Sequence, residues 1–211
     1  MNIQHGVPDF KKGRGAVSVV LMSENGRSIL VCKDLEKGSP GRRRWSLPGG
    51  IAEPADLGDM LRTATRECKE ETGILLAPGM LVETPHVVVF KDGSVKKWFA
   101  GIYSENISLR TTGTLQEIKR NGVTQLMQVL GPPEWVPAEE LMILPPQGYC
   151  PDDRFYLHHS QIKGLVEIIL YLKGVNLDRR HAGFDFLWRK CGGKISTLRK
   201  RLHPEESGQS A

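Results

Sequence analysis

Residues 66–71 read Arg-Glu-Cys-Lys-Glu-Glu, which crowds Glu67, Glu70 and Glu71 into the end of what the flanking pattern makes a single helix. Leu57, Leu61, Ala64 and Cys68 recur at steps of four, three and four, the spacing of one apolar helix face. On another face Glu67 follows Thr63 by four, and Glu70 and Glu71 follow Glu67 by three and four. Asp56 is the expected N-cap, and Gly73 is placed to end the helix in a left-handed conformation. Glutamates near a helix C-terminus face the negative end of its dipole, at a cost of about 0.3–1 kcal/mol each. They also repel one another, and Arg66, one turn before Glu70, offsets only part of this. A solvated acidic face is the plain alternative. Clustering at the unfavourable end, directly after a Pro48-Gly49-Gly50 break, favours a cation site, and hard oxygen ligands suit Mg²⁺ or Mn²⁺.

The run Arg66-Glu67-Cys68-Lys69-Glu70-Glu71-Thr72-Gly73-Ile74 reads onto the core of the Nudix box, and Pro48-Gly49-Gly50 with its acidic loop onto the start. Over 47–74 the chain therefore resembles the Nudix hydrolases. The resemblance implies an α/β fold in which a mixed β-sheet is sandwiched between helices. It also implies Mg²⁺-dependent cleavage, with Mn²⁺ as a substitute, of the diphosphate linkage in a nucleoside diphosphate derivative. Metal ligation falls to Glu67, Glu70 and Glu71 with a backbone carbonyl of Gly50, and Arg66 becomes the brace that orients Glu70 or the loop acid. The chain departs from the family pattern at one place. Nine residues separate Asp56 from Arg66 where seven are usual, a two-residue insertion around Leu57-Gly58-Asp59, with aspartate in place of glutamate.

The 211 residues suffice for one domain with a substantial core. The expected division is a catalytic domain over 1–174 and a basic, partly aromatic extension over 175–211 with a disordered end. Hydrophobic content of 39% and charged content of 25% are those of a soluble globular protein. No apolar run reaches membrane-span length, and the first residues lack the apolar centre of a signal peptide, so no membrane partner is expected. Cys32, Cys68, Cys150 and Cys191 show no paired spacing, which predicts reduced thiols in a cytoplasmic protein. The net charge of +5 suits an anionic substrate. Its concentration at Arg42-Arg43-Arg44 and over 179–201 leaves open two further roles. Arg42, Arg43 and Arg44, with Lys33, are candidate substrate contacts, with a solvated face as the competing reading. The basic tail leaves open a weak nucleic-acid contact, although its aromatics are better read as anchors against the domain. A homodimer is left open.

Strands are expected over 15–22 and 28–33, joined at Asn25-Gly26, and over 81–90 and 95–103, joined at Asp92-Gly93. The polar stretch 105–122 predicts a surface loop with one helical turn, and 124–130 a strand. The Trp135 segment resembles the one that opens a later helix in Nudix domains, and 152–173 carries a helical pattern ended by Gly174. His158 and His159, adjacent in that pattern, point to different faces and are not joint metal ligands. Glu117 and Glu134 are the acids available as a further catalytic base, and Glu117 is better read as a solvated loop charge. A non-catalytic Nudix module that binds nucleotide or RNA is the alternative function, and a Nudix enzyme directed at nucleic acid a third.

Overall fold

The computed structural model describes residues 15–34, 44–110, 115–120, 123–128, 130–143, 157, 159–174 and 182–202. Strands β1 (Ala16–Ser23) and β2 (Ser28–Asp34) form the expected hairpin, antiparallel with Met22 opposite Ile29. Gly26, at φ 67, supplies the left-handed turn residue. β4 (Leu81–Val89) and β5 (Val95–Tyr103) form the second hairpin through Gly93 at φ 80. With β3 (Arg44–Ser46) they make one sheet in the order β3-β2-β1-β5-β4, and β8 (Leu130–Pro137) also pairs with β2. β1 and β5 run parallel while the other pairs are antiparallel, so the sheet is mixed.

The valine-rich β1 is buried almost throughout because both of its faces are covered. Val17, Val19 and Leu21 pack with Ala64 and Cys68 of α1 (Met60–Thr72) and with Phe99. Val20 and Met22 join the opposite cluster, with Ile162, Leu165 and Ile169 of α3 (His159–Gly174). Leu187, Cys191, Ile195 and Leu198 of α4 (Ala182–Leu202) are buried in that same cluster. The basic 179–201 stretch thus contains an apolar seam that anchors α4 on α3, and Trp188 packs partly buried against it. The side chains of Phe184 and Phe186, and residues 203–211, lie outside the described residues.

Three sequence expectations need correction. Within 105–122, residues Leu115–Arg120 form strand β6, which pairs with β7 (Val123–Gln128) in a separate two-stranded sheet. The sequence of this ribbon, LQEIKR on its first strand, carries no apolar alternation, so it did not read as a strand. Glu134 and Trp135 belong to β8, and the helix that follows, α2 (Ala138–Leu141), is one turn long. Leu57 is not part of the apolar face of α1. It is 72% exposed and precedes the helix, Leu61 is 39% exposed, and Met60 packs against the core instead. Of the histidine pair, His158 and the side chain of His159 lie outside the described residues.

Candidate active site

The loop that enters α1 is fitted to β1 by its backbone. Val19 N–H donates to the Pro48 carbonyl at 2.8 Å, Val17 N–H to that of Gly50 at 2.9 Å, and Ala52 N–H to that of Gly15 at 2.8 Å. Gly49 has φ 149, and a Cβ there would strike the Val17 carbonyl and Ser18 Cα. A Cβ on Gly50 would fall into the Glu67 carboxylate. Both positions need glycine: one for its backbone and both for close approach. The Gly50 carbonyl, one of the expected ligands, therefore already accepts one hydrogen bond and keeps one lone pair.

Beyond it, Pro54–Asp56 make a single 3₁₀ turn closed by a reciprocal box with Glu53, whose N–H donates to Asp56 Oδ2 at 2.8 Å. Leu57 (φ 54) and Gly58 (φ 77) then reverse the chain in left-handed conformation. The cap of α1 is Asp59, not Asp56: its Oδ1 accepts from Leu61 N–H at 2.9 Å and Arg62 N–H at 3.3 Å. Leu57 and Gly58 account for this. They place a reversal between the two aspartates, so that Asp59 caps while Asp56 turns inward. At the other end Gly73 has φ 76, the left-handed terminator expected.

Arg66 gathers the loop and helix. Its Nε and Nη2 donate to Asp56 Oδ1 and Oδ2 at 3.1 and 3.0 Å, a two-pronged contact. Nη1 donates to Glu70 Oε2 at 3.0 Å and lies 3.0 Å from Glu67 Oε1 and 3.8 Å from Glu53 Oε1. Nη2 also donates to the Ile51 carbonyl at 3.0 Å. The hydrogen bond with Asp56 holds the guanidinium charge more firmly than usual, against the opposing effect of burial. Burial would raise the Asp56 carboxyl, but Arg66, the Glu53 N–H and the Thr63 hydroxyl more than offset it and hold it below its ordinary range.

The three glutamates of the helix diverge. Glu67 and Glu71 are buried, at 7% and 5% exposure, whereas the Glu70 side chain is 44% exposed and turned to Arg66. Burial pushes the Glu67 carboxyl up to about 7, only partly countered by Arg66, with Glu70 adding to the rise. Burial pushes Glu71 up to about 8, against a single 2.9 Å hydrogen bond from Gly49 N–H. Among the described residues Glu71 makes no ion pair. The donor set fits a divalent cation in chemistry: buried carboxylates without sufficient counter-charge, beside a glycine whose missing Cβ leaves room at Glu67. It is not a closed cage, because no three acidic, histidine or cysteine side chains converge into a metal-binding group among the described residues.

The other expected residues fall as follows. Lys33 and Arg44 lie on paired strands, Lys33 opposite Trp45 and Arg44 opposite Asp34, with side chains outside the described residues. Arg42 and Arg43 lie outside the described residues altogether. Glu117 is on β6 opposite Leu126, its side chain not described, and Glu134 is exposed on β8. The sequence reading missed Glu53. The signal for it is Glu53-Pro54 ahead of an acid three residues on, a box at a turn start.

The NUDIX domain model matches residues 12–158, and the chain belongs to the Nudix family. An ADP-ribose pyrophosphatase of Mycobacterium tuberculosis (strain ATCC 25618 / H37Rv) is 36% identical over 87 residues, 41% of this chain and 41% of that protein. The match thus spans less than half the length of that relative. The structure of a MutT/nudix family protein from Enterococcus faecalis matches 94% of this chain and 77% of its own at 15% identity, with a TM-score of 0.52. The NUDIX domain of Shewanella oneidensis NrtR, in a cocrystal with ADP ribose, matches 79% of this chain and 94% of its own at 17% identity and a TM-score of 0.49. The E. faecalis likeness shows the fold: a mixed sheet with helices on both faces.

Proposed function

We propose that the protein is a pyrophosphohydrolase that cleaves the diphosphate linkage of a nucleoside diphosphate derivative, using Mg²⁺ or Mn²⁺. The observation that carries this is the buried pair Glu67 and Glu71, set against Gly49-Gly50 and under-compensated in charge. These two carboxylates, with Glu70 and the remaining lone pair of the Gly50 carbonyl, would hold the cation. When bound, such a cation neutralises phosphoryl oxygens and acts as a Lewis acid toward the diphosphate. The chain's own residues do the positioning. Gly49 N–H fixes the Glu71 carboxylate, and Arg66 ties Glu70 and the loop acid Asp56 to one guanidinium. Lys33, Arg42, Arg43 and Arg44 remain candidate contacts for the charged substrate.

The relative active on ADP-ribose makes that compound the first substrate to try. Free, buried Cys32, Cys68 and Cys191 support a reducing, cytoplasmic setting. Among the described residues no helix is long and apolar enough to cross a membrane. The test is incubation of the full chain with Mg²⁺ or Mn²⁺ and a panel of nucleoside diphosphate derivatives, ADP-ribose included, with products identified by mass. Two monophosphate products from one member are expected. No product, together with no stabilisation by metal, contradicts the assignment and favours a non-catalytic nucleotide-binding module.

A further inference from the structure

Lys96 stands on β5 opposite Ala16 of β1, and Ala16 in turn bridges Ile51, the residue after the glycine turn. Ile51, Ala16 and Lys96 therefore lie side by side across the sheet, about 10 Å from end to end at the spacing of adjacent strands. A lysine side chain spans more than half of that distance. Its ammonium lies 5.1 Å from the centroid of the Trp98 ring, two residues along the same face of β5. That ring is fixed from two sides. His86 meets it edge-on at 5.6 Å, and α3 rests on it through Gly164, where any Cβ would run into the indole.

What sets Lys96 apart is that no carboxylate among the described residues forms an ion pair with it. Its neighbour Lys97 pairs with Glu83 at 2.7 Å, whereas among the described residues Lys96 makes no hydrogen bond and no ion pair. Burial lowers its ammonium to about 8, and the Glu71 carboxylate of the active site is the charge that acts against that. A partly buried ammonium that no carboxylate among the described residues pairs with carries a desolvation cost. Contact with Trp98 offsets part of this, and an anion arriving from outside would offset the rest.

We propose that Lys96, stationed over Trp98, binds a phosphate oxygen of the substrate. This assignment rests on reading the site as a diphosphate hydrolase. The competing account is that Lys96 serves packing alone, as a cation on an aromatic shelf. The two differ in what they make of KM.

The experiment is steady-state kinetics of the full chain on the panel compound that the wild type turns over fastest, starting from ADP-ribose. Wild type, Lys96→Met and Lys96→Arg are compared, with inorganic pyrophosphate as inhibitor. A binding contact made equally in ground and transition states moves KM and leaves kcat alone. Lys96→Met should raise KM at least about tenfold and keep kcat within about threefold, with the inhibition constant for pyrophosphate rising in parallel. Lys96→Arg, which keeps the charge, should hold KM within about threefold of wild type. Thermal melts without substrate should show Lys96→Met at least as stable as wild type. Unchanged KM in Lys96→Met overturns the proposal. So does equal impairment of both variants with lowered melting temperatures, which assigns Lys96 to packing. A wild type that hydrolyses nothing on the panel overturns the parent reading, and this one falls with it.

Discussion

Asp56 and Glu71 are buried to nearly the same degree, at 4% and 5% exposure, and each receives a hydrogen bond from the loop that precedes α1. Burial pushes both carboxyls up, but their partners differ, and the net shifts run in opposite directions. Asp56 has its cation within the fold: Arg66 contacts both carboxylate oxygens, and the Thr63 hydroxyl donates to one of them at 3.0 Å. Its carboxyl is held below the ordinary range. Glu71 has the Gly49 N–H and no ion pair among the described residues, and its carboxyl rises to about 8. The same loop-and-helix unit thus holds one acid whose charge the fold uses and another whose charge it tolerates. The second kind is what a site for an external cation requires. Glu67 sits between the two, 3.0 Å from a guanidinium it shares with Asp56 and Glu70.

The largest effect should come from removing charge from the glutamate cluster of α1. Glu71→Gln and Glu70→Gln are each expected to lower turnover at least about a hundredfold, the order seen when one charge-stabilising group is lost. Product formation under saturating substrate and metal reads this. Near-normal turnover in Glu71→Gln would dissolve the contrast.

Stability should respond in the reverse order. Asp56→Asn removes the charge that Arg66 grips with two prongs and is expected to cost about 1.5–3 kcal/mol, the order of a lost charge-assisted hydrogen bond, because Glu67 and Glu70 still face the guanidinium. Glu71→Gln in metal-free protein at pH 8 should cost under about 1 kcal/mol, because it removes a charge held at an unfavourable helix end. Urea unfolding of both variants decides between them, and equal losses would erase the difference.

A smaller effect lies in pH. The folded-state values of Glu67 and Glu71, about 7 and about 8, exceed the ordinary carboxylate value of 4.5. The stability these groups contribute is therefore complete below about 4.5 and is lost as pH rises through 7 and 8. Asp56 works the other way, its contribution present above 3.8 and lost as pH falls through its depressed folded value. Metal-free protein should accordingly lose stability between pH 5 and pH 9 in urea titrations, and Glu71→Gln should flatten that slope. A wild-type slope of the opposite sign would count against buried, uncompensated carboxylates.

The sequence showed this arrangement unevenly, for reasons that can be named. Turns at Gly26 and Gly93 and the helix stop at Gly73 are legible because a positive φ is a local demand that glycine meets. The clustering of Glu67, Glu70 and Glu71 is legible because helical spacing alone puts them together. Their inequality is not, because it comes from the Gly49-Gly50 loop lying over Glu67 and Glu71 while Arg66 draws Glu70 outward. The exchange of capping roles between Asp56 and Asp59 hangs on a reversal at Leu57, a residue type that gives no hint of left-handed backbone. In the basic stretch, Leu187, Cys191, Ile195 and Leu198 do follow helical steps, but the surrounding arginines and lysines obscure the seam.

The contrast between Asp56 and Glu71 stands or falls on whether a cation completes the buried acids. Thermal melts of wild type, Glu67→Gln and Glu71→Gln, without nucleotide and at constant ionic strength, test this with and without Mg²⁺ or Mn²⁺. Binding to the folded state alone should stabilise wild type by on the order of 2.7 kcal/mol at a hundredfold excess over the dissociation constant. At the same metal concentration both variants should show a clearly smaller shift. Equal shifts in all three proteins would mean that the cation binds elsewhere, and would contradict the account.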